Sequence, residues 1–306
     1  MQEDLVFLVL GTHTHFAGEW MVGYRYMVMD MEGSRDGTRS LSDNDVLASF
    51  PITPTRMSMQ MHMLDLMYAP SDKLTLMLMQ PFISMEMDHV TRTGARFTTE
   101  SEGAGDLKFM VTWTAWQDKQ HKHRLLLTGG ISIPTGSIDE EDNTPLGVQR
   151  LPYPMQLGSG TFDLRPGLSY LGEAEQWAWG GEFKNVIRLD ENSNQYRLGN
   201  RYEVSAWVNR KLLDWLGAHT RIDSHWWGNI KGADPQLNPA LVPTADPGRR
   251  AGERVDLLFG LDLYAPKGKL KNHRLSIEGG LPVYQSLDGP QLEVDWLLTG
   301  GWLWTF

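Results

Sequence analysis

The sequence predicts an all-β fold, an antiparallel transmembrane β-barrel of about twelve strands with the N- and C-termini on the periplasmic side. Three observations carry that expectation. The segment VDWLLTGGWLWTF at 294–306 sets Val294, Trp296, Leu298, Gly300, Trp302, Trp304 and Phe306 on one strand face. In water such a face would be an aggregating edge, whereas in a bilayer its aromatics belong at the interfacial girdle. Period-2 alternation with charge on one face and aromatics on the other recurs along the chain, which is the code of lipid outside and lumen inside. Finally, thirteen of the sixteen methionines lie between Met21 and Met87, all at odd positions, as one continuous set of strand faces would require.

The strands follow in order near 18–31, 55–69, 73–89, 105–117, 122–134, 159–172, 176–189, 197–211, 215–229, 253–265, 272–285 and 292–306. In the first, Trp20, Val22, Tyr24, Tyr26 and Val28 face lipid. Met21, Met27, Met29 and Met31 then share the lumen with Arg25. The second strand puts Met57, Met59, Met61, Met63 and Met67 inside with Asp65. This turns Arg56, Ser58, Gln60 and His62 outward, a poor lipid face unless the stretch lies above the membrane or a bulge switches sides. In the third, Leu74, Leu76 and Leu78 take the lipid side and Met77, Met79, Met85 and Met87 the lumen, with His89 beyond them. The later strands alternate apolar positions such as Phe109, Leu168, Phe183, Val204 and Phe259 with charged ones such as Lys108, Arg165, Glu182, Glu203, Asp223 and Asp262. Short turns (APSDK, QDKQHK, GEAEQ, KLLDW, APKGKLKN) alternate with longer loops at 32–54, 90–104, 135–158 and 230–252, and with shorter ones at 190–196 and 286–291. The short turns are expected in the periplasm and the others outside. A single barrel over 18–306 accounts for the chain, preceded by a periplasmic or lumenal segment at 1–17.

Composition narrows the function. A net charge of −10 without a basic stripe argues against nucleic acid. The lack of Cys excludes disulfides and thiolate metal sites. No apolar run approaches the roughly 18 residues of a spanning helix. LVFLVL, following Glu3 and Asp4, is too short for a signal core, so the sequence reads as a chain without its leader or one starting at an unusual Met. Hydrolysis finds no support: Ser224 and His225 point to opposite faces, and Ser58 and His62 stand about 13 Å apart along a strand.

On adjacent antiparallel strands the methionines would form one wall of the lumen. Thioethers favour Cu(I), and His13, His15, His62 and His89 could extend a metal track beside Met59, Met61 and Met63, with copper as the candidate ion. The same wall also suits a small aromatic molecule, or packing with no ligand at all. His121 and His123 read as solvated, and His219 and His225 as part of a lumen charge network with Arg221 and Asp223.

GEWMVGYRYMVMDMEGSRDGT, MYAPSDKLTLM, MDHVTRTGARFTTESEGAGDLK, ISIPTGSIDE, YPMQLGSGTFDLRPGLSY, RLGNRYE and GLPVYQSLDGPQLE span nearly the whole chain. With these segments the sequence resembles the bacterial outer-membrane family of the meta-pathway of phenol degradation. The resemblance implies an outer-membrane barrel passing small hydrophobic or aromatic compounds, without catalytic residues. The expected function is such passage through a Met-lined, otherwise charged lumen. Its alternatives are soft-metal binding or transport, and a structural or adhesive barrel. Expected partners are outer-membrane lipid, the small-molecule or metal substrate and, through the final strand ending in Phe306, the barrel assembly machinery. Self-association through the outer face of strand 55–69 would add a second copy.

Overall fold

The computed structural model describes residues 15–265 and 267–306. The barrel wall consists of β1 (Trp20–Gly37), β2 (Ile52–Ser71), β3 (Leu74–Thr91), β4 (Leu107–Gln117), β5 (His123–Ile133), β6 (Gly167–Ala174), β7 (Trp177–Arg188), β8 (Arg201–Leu213), β9 (Leu216–Trp227), β10 (Gly252–Tyr264) and β11 (His273–Thr305). Each is hydrogen-bonded antiparallel to its chain neighbour, and β11 closes the ring on β1, with Met21 opposite Thr305. β11 is 33 residues long. Its first half pairs with β10 from Arg274 to Leu287 and its second with β1 from Gln291 to Thr305, so it crosses the wall twice. At its base, the Asn272 side-chain amide donates to the Thr305 carbonyl at 3.2 Å. Counted by crossings, the wall has the twelve passes that the alternation implies.

Alternation sets the faces as the residue types demand. Leu64, Leu66, Leu78, Phe259, Ile277, Leu281, Trp296 and Leu298 are exposed on the outside. Rings gather near the chain ends, with Trp20 against Tyr68 and Trp304 against Phe306, each at 4.6 Å between centroids. A lipid band between aromatic girdles is the one solvent in which this surface is stable.

The wall is uneven in height. β1, β2 and β3 run 18, 20 and 18 residues, whereas β6 has 8. Pairing between β1 and β2 is unbroken from Trp20–Tyr68 to Glu32–Arg56, so no bulge switches the methionine face of β2. His62 and Gln60 point outward, where Tyr24 Oη lies 2.7 Å from His62 Nδ1 and Tyr26 Oη donates to Gln60 Oε1 at 2.8 Å. Beyond this aromatic row the outer positions become polar: Ser58 pairs with Glu86, and Glu86 with Glu100. The poor lipid face expected in this stretch is thus held outward by an unbroken register, with His62 and Gln60 bonded to the Tyr24 and Tyr26 hydroxyls.

Two boundaries differ from expectation. The 90–104 loop contains a strand, Arg96–Ala104, that prolongs the sheet beside β3. Its junction with β4 falls at Pro81, which has no N–H to offer and accepts from Gly105 N at 2.9 Å. Residues 159–166 keep only a two-residue strand, Asp163–Leu164, bridging β5 and β7. Gly160, at φ +68°, and Pro166 break the ladder there. Phe162 and Leu164 still point outward, which is why the alternation reads as strand.

Gly260 on β10 faces the lumen directly beneath the His219 ring, and a Cβ there would also stand 2.7 Å from the Ile277 carbonyl oxygen. Gly260→Ala should therefore destabilise the barrel by ~1–3 kcal/mol, the usual range for overpacking. Gly129→Ala, where a methyl meets nothing within 4 Å, should be neutral. Urea unfolding followed by heat-modifiable gel mobility would measure the difference.

Candidate functional site: the lumen wall and the loop seated on it

The register turns the odd-numbered methionines into rungs. Met21, Met67, Met77 and Met110 stand side by side nearest the chain ends. Met29, Met59 and Met85 form a further rung, as do Met31, Met57 and Met87 towards the loops. Between these lie Met27 with Met61, then Arg25 with Met63, then Asp65 with Met79. Arg25 Nη2 and Asp65 Oδ2 form a buried ion pair at 3.0 Å across the wall.

The wall does two different jobs along its height. Near the loop end, Met57, Met85 and Met87 are buried beneath Leu151, Met155 and Leu157, with Met31 and Met59 packed alongside. These covering residues belong to the segment between β5 and β6, which folds inward over the lumen wall. Ser101 Oγ donates to the Met155 carbonyl at 2.8 Å and helps hold it. Near the chain ends, Met21, Met67 and Leu303 cluster with Met77.

One carboxylate ties the inward segment down. Asp106 Oδ1 accepts from Gly136 N at 3.0 Å, and Oδ2 accepts from Ser159 N at 2.9 Å and from Ser159 Oγ at 2.8 Å. Asp163 extends the knot, accepting from Thr161 Oγ1 at 2.7 Å and pairing with Arg188. Gly136 and Gly158 are in backbone contact, and a Cβ on Gly136 would stand 2.8 Å from Gly158 Cα. Three stretches quoted for the family resemblance, GDL, PTGS and GSG, therefore meet at one point. Further out, Tyr153 packs edge-on against Tyr196 at 4.9 Å, with Ile230 beside them. Burial pushes both phenols above their ordinary value of 10.0.

Between the methionine wall and the opposite wall lies a cavity of about 240 Å³. Met63, Met67, Met77, Met79 and Met110 line one side of it together with Arg25 and Lys108, and Arg165, Glu182, Lys184 and Glu203 are among the groups on the other. Further round, His219 bridges Asp262 at 2.7 Å and Glu278 at 3.1 Å, and Arg221 binds Glu278 at 3.0 Å. His225 approaches Asp256 at 3.4 Å. This is the charge network expected for His219 and His225.

The histidines and methionines of the metal track do not assemble. His62 faces outward, away from Met59, Met61 and Met63, because strand alternation sends even and odd positions to opposite sides. His89 is stacked on Phe97 at 4.7 Å beyond the loop-end rung. His15 sits at the opposite end, 3.6 Å from Glu19, and His13 lies outside the described residues, as does nearly all of the 1–17 segment. Among the described residues no group of three or more His, Asp or Glu is arranged to hold a metal ion. Met110, Leu151, Met155 and Leu157 are wall and cover residues that the odd-methionine pattern did not single out. The apolar run LPYPMQL in a supposedly exposed loop was the available signal.

Asp106→Ala should free the inward segment by leaving the Gly136 and Ser159 donors unpaired, at a cost of ~1–3 kcal/mol each where they stay buried. Limited proteolysis within 137–157 should quicken in the variant while the barrel remains heat-modifiable. The tyrosine pair adds a pH dependence. Its folded arrangement holds the phenolic protons more tightly than the free chain does, so its stabilisation is intact below pH 10 and declines as pH rises beyond it. Proteinase K cleavage of the loops, followed from pH 8 to 11, should accelerate above pH 10 in the native chain. It should do so less in Tyr153→Phe/Tyr196→Phe.

The family described as "Putative MetA-pathway of phenol degradation" matches residues 57–220, just over half of the chain. No curated protein sequence matches. Among solved structures, a COG4313 outer membrane channel from Pseudomonas putida F1 superposes with a TM-score of 0.66 at 13% identity, covering 97% of this chain and 98% of that one. A deletion mutant of the TodX monoaromatic hydrocarbon channel gives 0.50 at 9% identity over 95% and 91% of the two chains. At these identities the likeness is one of fold. The chain belongs to the phenol-degradation family matched here, and it is a β-barrel of the bacterial outer membrane.

Proposed function

We propose that this barrel passes small aromatic molecules across the outer membrane, with its loop end outside and both termini in the periplasm, and carries out no chemistry on them. The observation that carries the reading is the cavity of about 240 Å³ faced on one side by Met63, Met67, Met77, Met79 and Met110. Thioethers are polarisable, flexible and free of hydrogen-bond demands, so a ring slides against them through dispersion and sulfur–aromatic contacts worth roughly 0.3–1.5 kcal/mol each. That combination suits a surface which must hold a solute weakly and release it. The family's link to phenol degradation supports a ring as the cargo. The inward segment at the loop end acts as a cover that has to shift for passage, since it buries the upper rungs.

Equilibrium dialysis of benzyl alcohol against the purified barrel in detergent, with protein-free micelles as reference, tests the reading. Protein-dependent binding should weaken about fivefold or more when Met67, Met77 and Met79 are changed together to Gln, since each loses sulfur–ring contact and gains a hydrated amide. Binding equal to the micelle reference, or unchanged in the variant, would reject it. The soft-ion reading of the same wall would rest on thioethers alone, because His62 faces away from them. Cu(I) titrated in the same dialysis distinguishes it.

A further inference from the structure

We infer that the cargo accepted by this cavity is a small aromatic anion, a ring carrying a carboxylate or a phenolate, with Lys108 and Arg165 as its counter-charges. The inference rests on the aromatic reading above and adds the polar end of the substrate.

Most lumen cations are already neutralised. Arg25 meets Asp65 at 3.0 Å, Lys184 meets Glu182 at 2.5 Å, Arg254 meets Asp256 at 2.9 Å, Arg221 binds Glu278, and Arg188 pairs with Asp163. Lys108 and Arg165 differ. Among the described residues neither side chain lies within 4.0 Å of a carboxylate, and both line the cavity. Their natural partners are close in sequence: Asp106 and Asp163 each stand two positions earlier on the same face. Those carboxylates are spent on the knot. Both oxygens of Asp106 accept from Gly136 and Ser159, and those of Asp163 accept from Thr161, Ser159 and Arg188. The interaction that seats the loop therefore also leaves two cations without a direct ion pair.

Their placement fits one ligand. Lys108 pairs with Ser132 on β5, and the backbone N–H of Arg165 donates to the Gly130 carbonyl on the same strand. One strand separates the two residues, a span of about 10 Å across the sheet. Gly130 puts no side chain into that gap, and the Met110 thioether lies over it, since a Cβ on Gly130 would come within 3.0 Å of Met110 Cε. The surface is thus apolar at Met79 and Met110 and cationic at both flanks. A cation without a direct ion pair in a wall of low polarity favours an anion over a neutral solute. In a chain with a net charge of −10, this local excess of positive charge runs against the rest of the molecule.

The test is equilibrium dialysis of benzoate and benzyl alcohol at pH 6.5 against the folded full-length barrel, Lys108→Gln/Arg165→Gln, and the charge-keeping Lys108→Arg. The wild type should bind benzoate about tenfold more tightly than benzyl alcohol, as a charge-assisted contact gives. The double variant should bring the ratio to about one, while Lys108→Arg keeps it. A tenfold rise in salt should weaken benzoate binding to the wild type without affecting benzyl alcohol. This arm needs no variant, and so stands if the double substitution prevents folding. Benzyl alcohol binding as tightly as benzoate, or a preference that survives the double substitution or high salt, would overturn the anion inference and leave aromatic passage standing. Neither ring binding above the micelle reference would overturn both.

Discussion

Asp106 accepts three hydrogen bonds from donors that lie 30 and 53 residues further along the chain, and much of the barrel's interior is arranged around that fact. A carboxylate that takes backbone N–H groups in a protein interior is fixed in position, because breaking the set leaves charge and donors unsatisfied together. Gly136 and Gly158 allow the two loop backbones to approach closely enough to share it. Once they do, Leu151, Met155 and Leu157 have one place to bury their side chains, the loop-end rungs of methionine.

The methionine ladder then ceases to be a single feature. Its loop-end rungs are an interior, packed by the same chain. Its other rungs remain a cavity lining, open towards charged residues on the facing wall. Unbranched thioether side chains suit both roles, since they conform to an irregular cover as readily as to a passing solute. Around the rest of the ring, His219, Arg221, Asp262 and Glu278 are tied into a network that leaves little of the lumen on that side unspoken for. Gly260 belongs to this network through an absence, leaving room for the His219 ring.

What could be read in advance divides along physical lines. Strand positions, the two faces and the rungs were legible because lipid and lumen impose opposite demands on alternate residues, from Trp20/Met21 through Trp304/Thr305. The outward polar run Arg56, Ser58, Gln60 and His62 was legible as an anomaly, and the unbroken β1–β2 register rules out a bulge as its cause. The break at 159–166 was not legible, because Phe162 and Leu164 keep their alternation although the ladder has stopped. Nor was the role of Asp106, whose partners are loop amides that carry no side-chain signature. His62 misled for a related reason: its residue type suggested a ligand, while its even number already set it on the other side of the wall from the odd methionines.

The unequal walls have an electrical consequence. One side of the bore is lined mainly by thioethers, interrupted by the Arg25–Asp65 ion pair and by Lys108, and the other by more closely spaced ionised groups that bring hydration with them. Under the proposed function, water and small electrolytes would concentrate along the second side and an apolar ring along the thioethers of the first. On that reading, current and organic flux would follow separate tracks within one pore, so that a small or steady conductance would carry little information about how fast an organic solute crosses.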